Sequence, residues 1–240
     1  MTPKQIYLNT QNSYHLAIWQ KRAMNLADYI GKYWAGAEAI YAVIIAMTFT
    51  SVLRDSNAFG EGASYIVYSA LFCCIAWGIA DGAFYAWERK YNILLENKII
   101  DFSRSESEKD NAIPMIKEQL DDTILRNINE ENRTELYQKL VRHLAEFGVK
   151  GKPSARDAIH IISATFLIST IAGLIVVAPF FLIDNLNTAL HISNLLGVSL
   201  LFIIGYNRAR EKDFSAKVIL GFGTAIIGMI IAVITTLLGG

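Results

Sequence analysis

The sequence contains few charged residues and few cysteines. Only 18% of its 240 residues are charged, 53% are hydrophobic, and the mean hydropathy of +0.31 is high for a soluble domain. The two cysteines, Cys73 and Cys74, are adjacent, which excludes a disulfide framework of the kind found in secreted domains. The net charge of zero gives no indication of nucleic-acid binding, and we expect none.

The common signatures of enzymes are also missing. There is no GxGxxG sequence, no phosphate-binding loop, no HExxH and no pair of CxxC motifs. No set of nucleophile, base and orienting group can be assembled from the hydrophobic segments. We therefore expect a protein that is not an enzyme and has no permanently bound cofactor.

Five long hydrophobic segments dominate what is present. An α-helix of about twenty residues crosses a hydrocarbon core of about 30 Å, and each segment reaches that length with few charges. The alternation typical of membrane β-strands is absent, which favours helices. The expected fold is therefore an all-α integral membrane protein with five transmembrane helices, a soluble bundle of buried helices being the alternative. The segments are residues 34–53, 64–87, 158–183, 188–206 and 216–238.

Basic residues are distributed unevenly around these segments. Of the 22 Lys and Arg residues, 21 lie before the first segment, between the second and third, or between the fourth segment and the first turn of the last. Only Arg54 lies elsewhere. Because cytoplasmic loops are enriched in Lys and Arg, the N-terminus is predicted to be cytoplasmic and the C-terminus outside. We expect a multi-pass protein of the cell (inner) membrane.

Residues 1–33 are predicted to form an amphipathic helix at the cytoplasmic surface of the membrane. They are too polar for a signal peptide. Apolar side chains recur in them at helical spacing, while charged residues such as Lys21 and Asp28 take other faces. Residues 34–89 then contain the first two membrane helices, and residues 156–240 contain the last three.

Residues 90–155 are predicted to form a cytoplasmic helical insert between the second and third membrane helices. Pro114 fits the first turn of one helix, whose apolar stripe continues to Ile128. A second helix is expected to start near Asn129 and to end at Gly148. Such a hairpin is too small for an independent core, so we expect it to pack on a partner copy or on the membrane helices.

Acidic residues of the insert have the spacing of metal ligands. Met115, Glu118 and Asp122 would share one helical face, and Glu131 and Glu135 would share another. Carboxylates beside a thioether could hold a divalent transition metal. The alternative, which the spacing alone favours, is that these residues form the solvated faces of amphipathic helices.

Two carboxylates lie inside the first two membrane segments. Glu38 is about one turn into the first segment, and Asp81 is about two turns from the cytoplasmic end of the second. An ionisable group in a membrane helix costs about 2.5 kcal/mol or more and usually faces a pathway or a partner. Since the two segments are antiparallel, the carboxylates are expected at similar depths. The alternative is hydrogen bonding to a neighbouring helix.

A stripe along the second membrane helix contains one of these carboxylates. Its members, spaced by four and three residues, are Cys74, Gly78, Asp81, Tyr85 and Glu88. This stripe is expected to line a polar path for a cation, with room at Gly78 and with Asp81 as the binding or proton-exchanging group. Glu88 would lie at the cytoplasmic mouth. For Cys74, packing as a small apolar residue is favoured over a role in the path.

These features resemble the vacuolar iron transporter family of divalent-metal carriers, in a prokaryotic-type branch. The shared pattern comprises five membrane helices, a charged insert between the second and third, and several local segments. The run Ala76-Trp-Gly-Ile-Ala-Asp81-Gly82 is the most specific segment. The others are Glu38-Ala-Ile-Tyr41, Thr48-Phe-Thr50, Ala178-Pro-Phe-Phe-Leu-Ile-Asp184, Ile192-Ser-Asn194 and Gly205-Tyr206.

The resemblance implies a homodimer that exports or sequesters Fe²⁺ or Mn²⁺ from the cytoplasm in exchange for protons. The path would run between the first two helices of both protomers, with Glu38 and Asp81 as its carboxylates. The better-known members instead have an Asp in the first helix and a Glu with a Met in the second. The residues that would gather metal ions in the insert are Met115, Glu118, Asp122 and Glu131.

Two other functions fit the same sequence. One is a non-transporting membrane sensor or scaffold that uses the insert to bind a protein partner. The other is a channel or carrier for a different small solute. The first needs no continuous polar path through the membrane, whereas the second keeps the path but does not respond to transition metals.

Overall fold

The computed structural model describes residues 32–55, 61–209 and 213–238. Regular structure in these ranges is helical, without a β-strand. The predicted surface helix lies outside them except for its last two residues, which belong to the first described helix. In chain order the helices are α1 (Lys32–Asp55), α2 (Glu61–Arg104), α3 (Lys109–Leu120), α4 (Glu130–Phe147), α5 (Ala155–Val177), α6 (Pro179–Leu182), α7 (Leu186–Arg208) and α8 (Phe214–Leu237), with a 3₁₀ turn at Ile124–Asn127.

Five of these helices, α1, α2, α5, α7 and α8, are long and apolar enough to cross a membrane. The predicted all-α fold with five membrane-spanning helices is therefore confirmed, and the apolar span of α1 runs over Trp34–Leu53, as predicted. α2 continues far beyond residue 87 as one helix. α5 ends at Val177 rather than at residue 183, because Pro179 lacks the N–H that would continue the helix and begins α6 instead.

The chain divides into two compact units, which we call the membrane unit (Met1–Ala83 with Ile159–Gly240) and the insert unit (Phe84–Ala158). In the membrane unit, α1, α7 and α8 pack against one another. α1 provides much of the core, since Ala42, Val43 and Ala46 have no exposed surface. α2 and α8 expose many large apolar side chains, as helices that face lipid do.

The insert unit contains a helical hairpin that shares a small core with the end of α2. The Asn129 side chain accepts a hydrogen bond from the backbone N–H of Asn132 and caps α4, which ends at Gly148. Both ends of this helix are as predicted. The core lies between α3, α4 and the end of α2, and its buried residues are Ile99, Ala112, Ile116, Tyr137 and Val141.

The first helix of the hairpin differs from the prediction at both ends. α3 begins at Lys109, so Pro114 lies inside the helix rather than in its first turn. α3 ends at Leu120 instead of continuing to Ile128, because the Thr123 side chain binds the Leu120 carbonyl and caps the 3₁₀ turn that follows. The apolar residues keep their helical spacing through the 3₁₀ turn, although the α-helix ends before it.

A short strap, residues 148–151, is attached to α2 by polar contacts. The Asn97 side-chain amide donates to the Gly151 carbonyl and accepts from the Gly151 N–H, at 2.8 Å in each bond. The Arg104 guanidinium donates to the Gly148 carbonyl at 2.6 Å. Asn97 therefore satisfies both backbone groups of one residue, as a neighbouring β-strand would.

Candidate cation site between the first two membrane helices

Glu38 and Asp81 lie in the membrane-spanning parts of α1 and α2. Glu38 has no exposed surface, and Asp81 is half-buried. A carboxylate is costly to remove from water, and within membrane helices such groups mark ion and proton pathways. The burial of Glu38 distinguishes it from the solvated acids of the insert and makes this region the candidate site.

Two residue pairs connect α1 and α2 close to these carboxylates. The Cys74 thiol donates a hydrogen bond to the Ala42 carbonyl, with a distance of 3.4 Å between sulfur and oxygen. The rings of Tyr41 and Trp77 meet edge to face, with centroids 6.3 Å apart. The pairs show which side of each helix faces the other.

Helical spacing brings both carboxylates to these facing sides. At about 100° per residue, the direction of Glu38 around the helix axis falls between those of Tyr41 and Ala42. The direction of Asp81 around the axis of α2 falls between those of Cys74 and Trp77 in the same way. Antiparallel register then puts the two positions within about 1.5–4.5 Å of each other along the axes, at a rise of about 1.5 Å per residue. This geometry supports the predicted similar depth.

The packing beyond these pairs, away from the carboxylates, is mostly apolar. The exceptions on α1 are the buried hydroxyls of Thr48, which is hydrogen-bonded to Thr235 of α8, and Thr50, which donates to the Ala46 carbonyl. Ile45 and Phe49 of α1 belong to the same hydrophobic cluster as Val67 and Leu71 of α2. A hydrated cation loses its water ligands in such surroundings without replacing them. Passage beyond the carboxylates therefore requires this part of the packing to change.

The predicted room at Gly78 is wrong. Gly78 is buried against α5, where an added Cβ would come within 2.8 Å of the Ser169 Cβ and of the Thr165 carbonyl oxygen. The Ser169 hydroxyl also donates to the Cys74 carbonyl at 2.7 Å. This part of the stripe therefore packs against a helix, which agrees with the apolar reading of Cys74.

The remaining members of the stripe lie further along α2. Tyr85 is half-buried and Glu88 is exposed, and both belong to the insert unit. Their role in a path stays a prediction.

The predicted metal ligands of the insert are only partly aligned. Met115 and Glu118 lie on α3, but Asp122 follows the end of that helix and does not continue their face. Glu131 and Glu135 are both exposed on α4. In the part of the chain that the structure describes, no group of three or more His, Cys, Asp or Glu side chains could hold a metal ion. Metal binding by these residues stays a prediction.

Several acids of the insert have partners within the hairpin. Glu135 pairs with Lys139 at 2.6 Å, and this hydrogen bond and charge lower the pKa of Glu135. Asp121, just after α3, accepts a hydrogen bond from the Tyr137 hydroxyl at 2.6 Å and pairs with Arg133 at 3.3 Å. The bond to Asp121 raises the pKa of Tyr137 because it is lost when the phenol ionises.

Tyr41 and Trp77 were not predicted as part of the site. Both occur in segments that carry the family resemblance, each close in sequence to a membrane carboxylate. An aromatic residue at the spacing i+3 or i−4 from a membrane carboxylate shares its helix face, so this signal was present in the sequence. The contacts of the α5 residues Thr165 and Ser169 with Gly78 had no such signal, because the local sequence does not predict which helix packs against a glycine.

Comparison with known proteins gives one family match. A family model described as the VIT family matches residues 100–240. The match covers more than half of the chain and includes the hairpin and the last three membrane helices, but begins after both membrane carboxylates. No curated protein matches the chain.

Proposed function

The chain belongs to the VIT family, the vacuolar iron transporter family, and is a membrane protein of metal-ion transport; from this premise we propose that it exchanges Fe²⁺ or Mn²⁺ for protons. The observation that carries the proposal is the pair of carboxylates on the facing sides of α1 and α2, one of them fully buried. The metal ion is the substrate and not a resident cofactor.

The chemistry of this exchange follows from the two states of a carboxyl group. Deprotonated Glu38 and Asp81 attract a divalent cation, whereas the protonated groups do not. Protonation from the far side of the membrane releases the cation, so the same groups serve both ions. The apolar layer beyond Ala42 prevents leakage until the helices repack.

The proposed direction is from the cytoplasm outward. It is supported by the distribution of the basic residues, from which residues 90–155 and the connection between α7 and α8 are predicted to be cytoplasmic. The functional unit that we propose is a homodimer. The apolar side chains exposed along α2 provide a surface that lipid or a second copy can cover.

The orientation is testable with cysteines introduced at two exposed positions. In a variant without native cysteines, Asn187→Cys is expected to react with a membrane-impermeant maleimide added to intact cells. Lys139→Cys is expected to react only after permeabilisation. Both positions are exposed and lie on opposite sides in the proposed topology. The reverse pattern of labelling would invert the topology and with it the direction of transport.

A flux assay tests the function itself. Purified protein is reconstituted into liposomes that contain a pH-sensitive dye, and Fe²⁺, Mn²⁺ or Mg²⁺ is added outside under anaerobic conditions. We expect saturable movement of Fe²⁺ or Mn²⁺ with opposite movement of protons, and little response to Mg²⁺. Metal movement without any proton signal would contradict the proposed exchange of metal for protons. No movement of any metal would favour a sensor or scaffold.

A further inference from the structure

A cluster of four aromatic rings joins α7 and α8 near the connection between these helices; we call it the aromatic cluster. The Tyr206 ring lies 6.2 Å from the Phe202 ring and 6.5 Å from the Phe214 ring, measured between centroids. The Phe222 ring completes the cluster at 5.0 Å from Phe202. Tyrosine side chains such as Tyr206 are enriched where membrane helices leave the hydrocarbon core.

A lysine ammonium group is held beside these rings. Lys217 Nζ lies 5.7 Å from the centroid of the Tyr206 ring. Asp213, one turn earlier, uses its carboxylate to accept a hydrogen bond from the Ala216 N–H at 2.8 Å and so caps α8. Among the described residues, no carboxylate forms a salt bridge with Lys217. Its charge is therefore available to an anion from outside the chain.

Lys217 provides a positive charge next to an apolar surface. Phe214 is 71% exposed and Phe222 is 58% exposed, on a helix long and apolar enough to span the bilayer. A ligand that fits must present a negative group directly beside a long apolar part.

We propose that the aromatic cluster and Lys217 bind an anionic phospholipid. The lipid phosphate pairs with the Lys217 ammonium, and the acyl chains lie along Phe214 and Phe222. Juxtamembrane basic residues attract anionic headgroups, and an interfacial tyrosine such as Tyr206 lies at the level of those headgroups. This site is separate from the carboxylates of α1 and α2 and does not depend on the transport reaction.

The test measures lipid retention by the purified full-length protein. The protein is exchanged into micelles that contain equal amounts of phosphatidylglycerol and phosphatidylcholine, and bound lipids are counted by native mass spectrometry. The wild type is expected to retain phosphatidylglycerol preferentially. Lys217→Gln is expected to weaken phosphatidylglycerol binding about five-fold and to leave phosphatidylcholine unchanged. Lys217→Arg is expected to keep the preference.

The chain supplies a matched control for this test. Lys98 lies over the Phe102 ring at 5.3 Å, a similar cation–ring pair in the insert unit. Lys98→Gln removes the same charge and is expected to leave retention unchanged. Equal retention of both lipids by the wild type, equal losses in the two Gln variants, or complete displacement of the lipid by equimolar inorganic phosphate would overturn the proposal. Equal retention of both lipids by the wild type would overturn the proposal even where a variant fails to fold.

Discussion

Asp81→Asn is expected to abolish metal-dependent proton flux in proteoliposomes while the protein stays folded. The asparagine amide has nearly the shape of the carboxylate, so the contacts of half-buried Asp81 are conserved. It carries no negative charge to bind the cation and no proton to exchange. Removing a proton-transfer group lowers rates by about a hundredfold or more, which the dye assay resolves.

Two further substitutions make this result specific. Glu38→Gln is expected to give the same loss of flux, because it removes the second carboxylate of the pair. Asp184→Asn removes an exposed carboxylate between α6 and α7 and is expected to keep the wild-type rate. Size-exclusion chromatography checks that all three variants are as monodisperse as the wild type. Normal flux in Asp81→Asn would contradict the assignment of Asp81.

Gly82→Leu is expected to cause a large loss of folded protein. A Cβ at this position would collide with the Thr165 hydroxyl and would come within 2.7 Å of the Ile162 Cα. The neighbour is backbone, which cannot rotate away as a flexible side chain can. Overpacking of a close helix contact costs about 1–3 kcal/mol or separates the helices. The fraction of protein that remains monodisperse after heating in detergent measures this loss.

Gly223→Leu is the matched control, because no atom lies within 4 Å of a Cβ at Gly223. It adds the same side chain to a membrane helix at a position that faces open space. We expect its thermal midpoint to stay close to that of the wild type. A Gly82→Leu variant that is as stable as Gly223→Leu would show that α2 and α5 do not approach as closely as described.

The membrane helices were predictable because lipid imposes a length that the sequence displays directly. The apolar span of α1 therefore agrees with its prediction at both ends. The end of α3 was not predictable, because the apolar spacing continues past the Thr123 cap. Apolar spacing alone does not indicate whether a side-chain cap ends the helix. Pro179 indicates the early end of α5, but the hydrophobic segment continues past this proline, so its length alone predicted a longer helix.

The candidate site was predictable in its residues but not in its surroundings. Charge inside an apolar run identifies Glu38 and Asp81 without any knowledge of the fold. Which helix occupies the glycine face of α2 depends on contacts between residues far apart in sequence, such as that between Ser169 and the carbonyl of Cys74. Helical spacing predicts a shared face but not the neighbour that covers it.

The strap at residues 148–151 restricts which positions can vary in related sequences. Asn97 recognises the backbone of Gly151 and no side chain, so it imposes no requirement on the exposed neighbour Val149. Gly148 has no such freedom, since a Cβ there would meet the Leu144 carbonyl. We therefore expect homologues to conserve an amide at position 97 and glycine at position 148, while position 149 varies. The conserved positions would be those that contact or crowd the backbone.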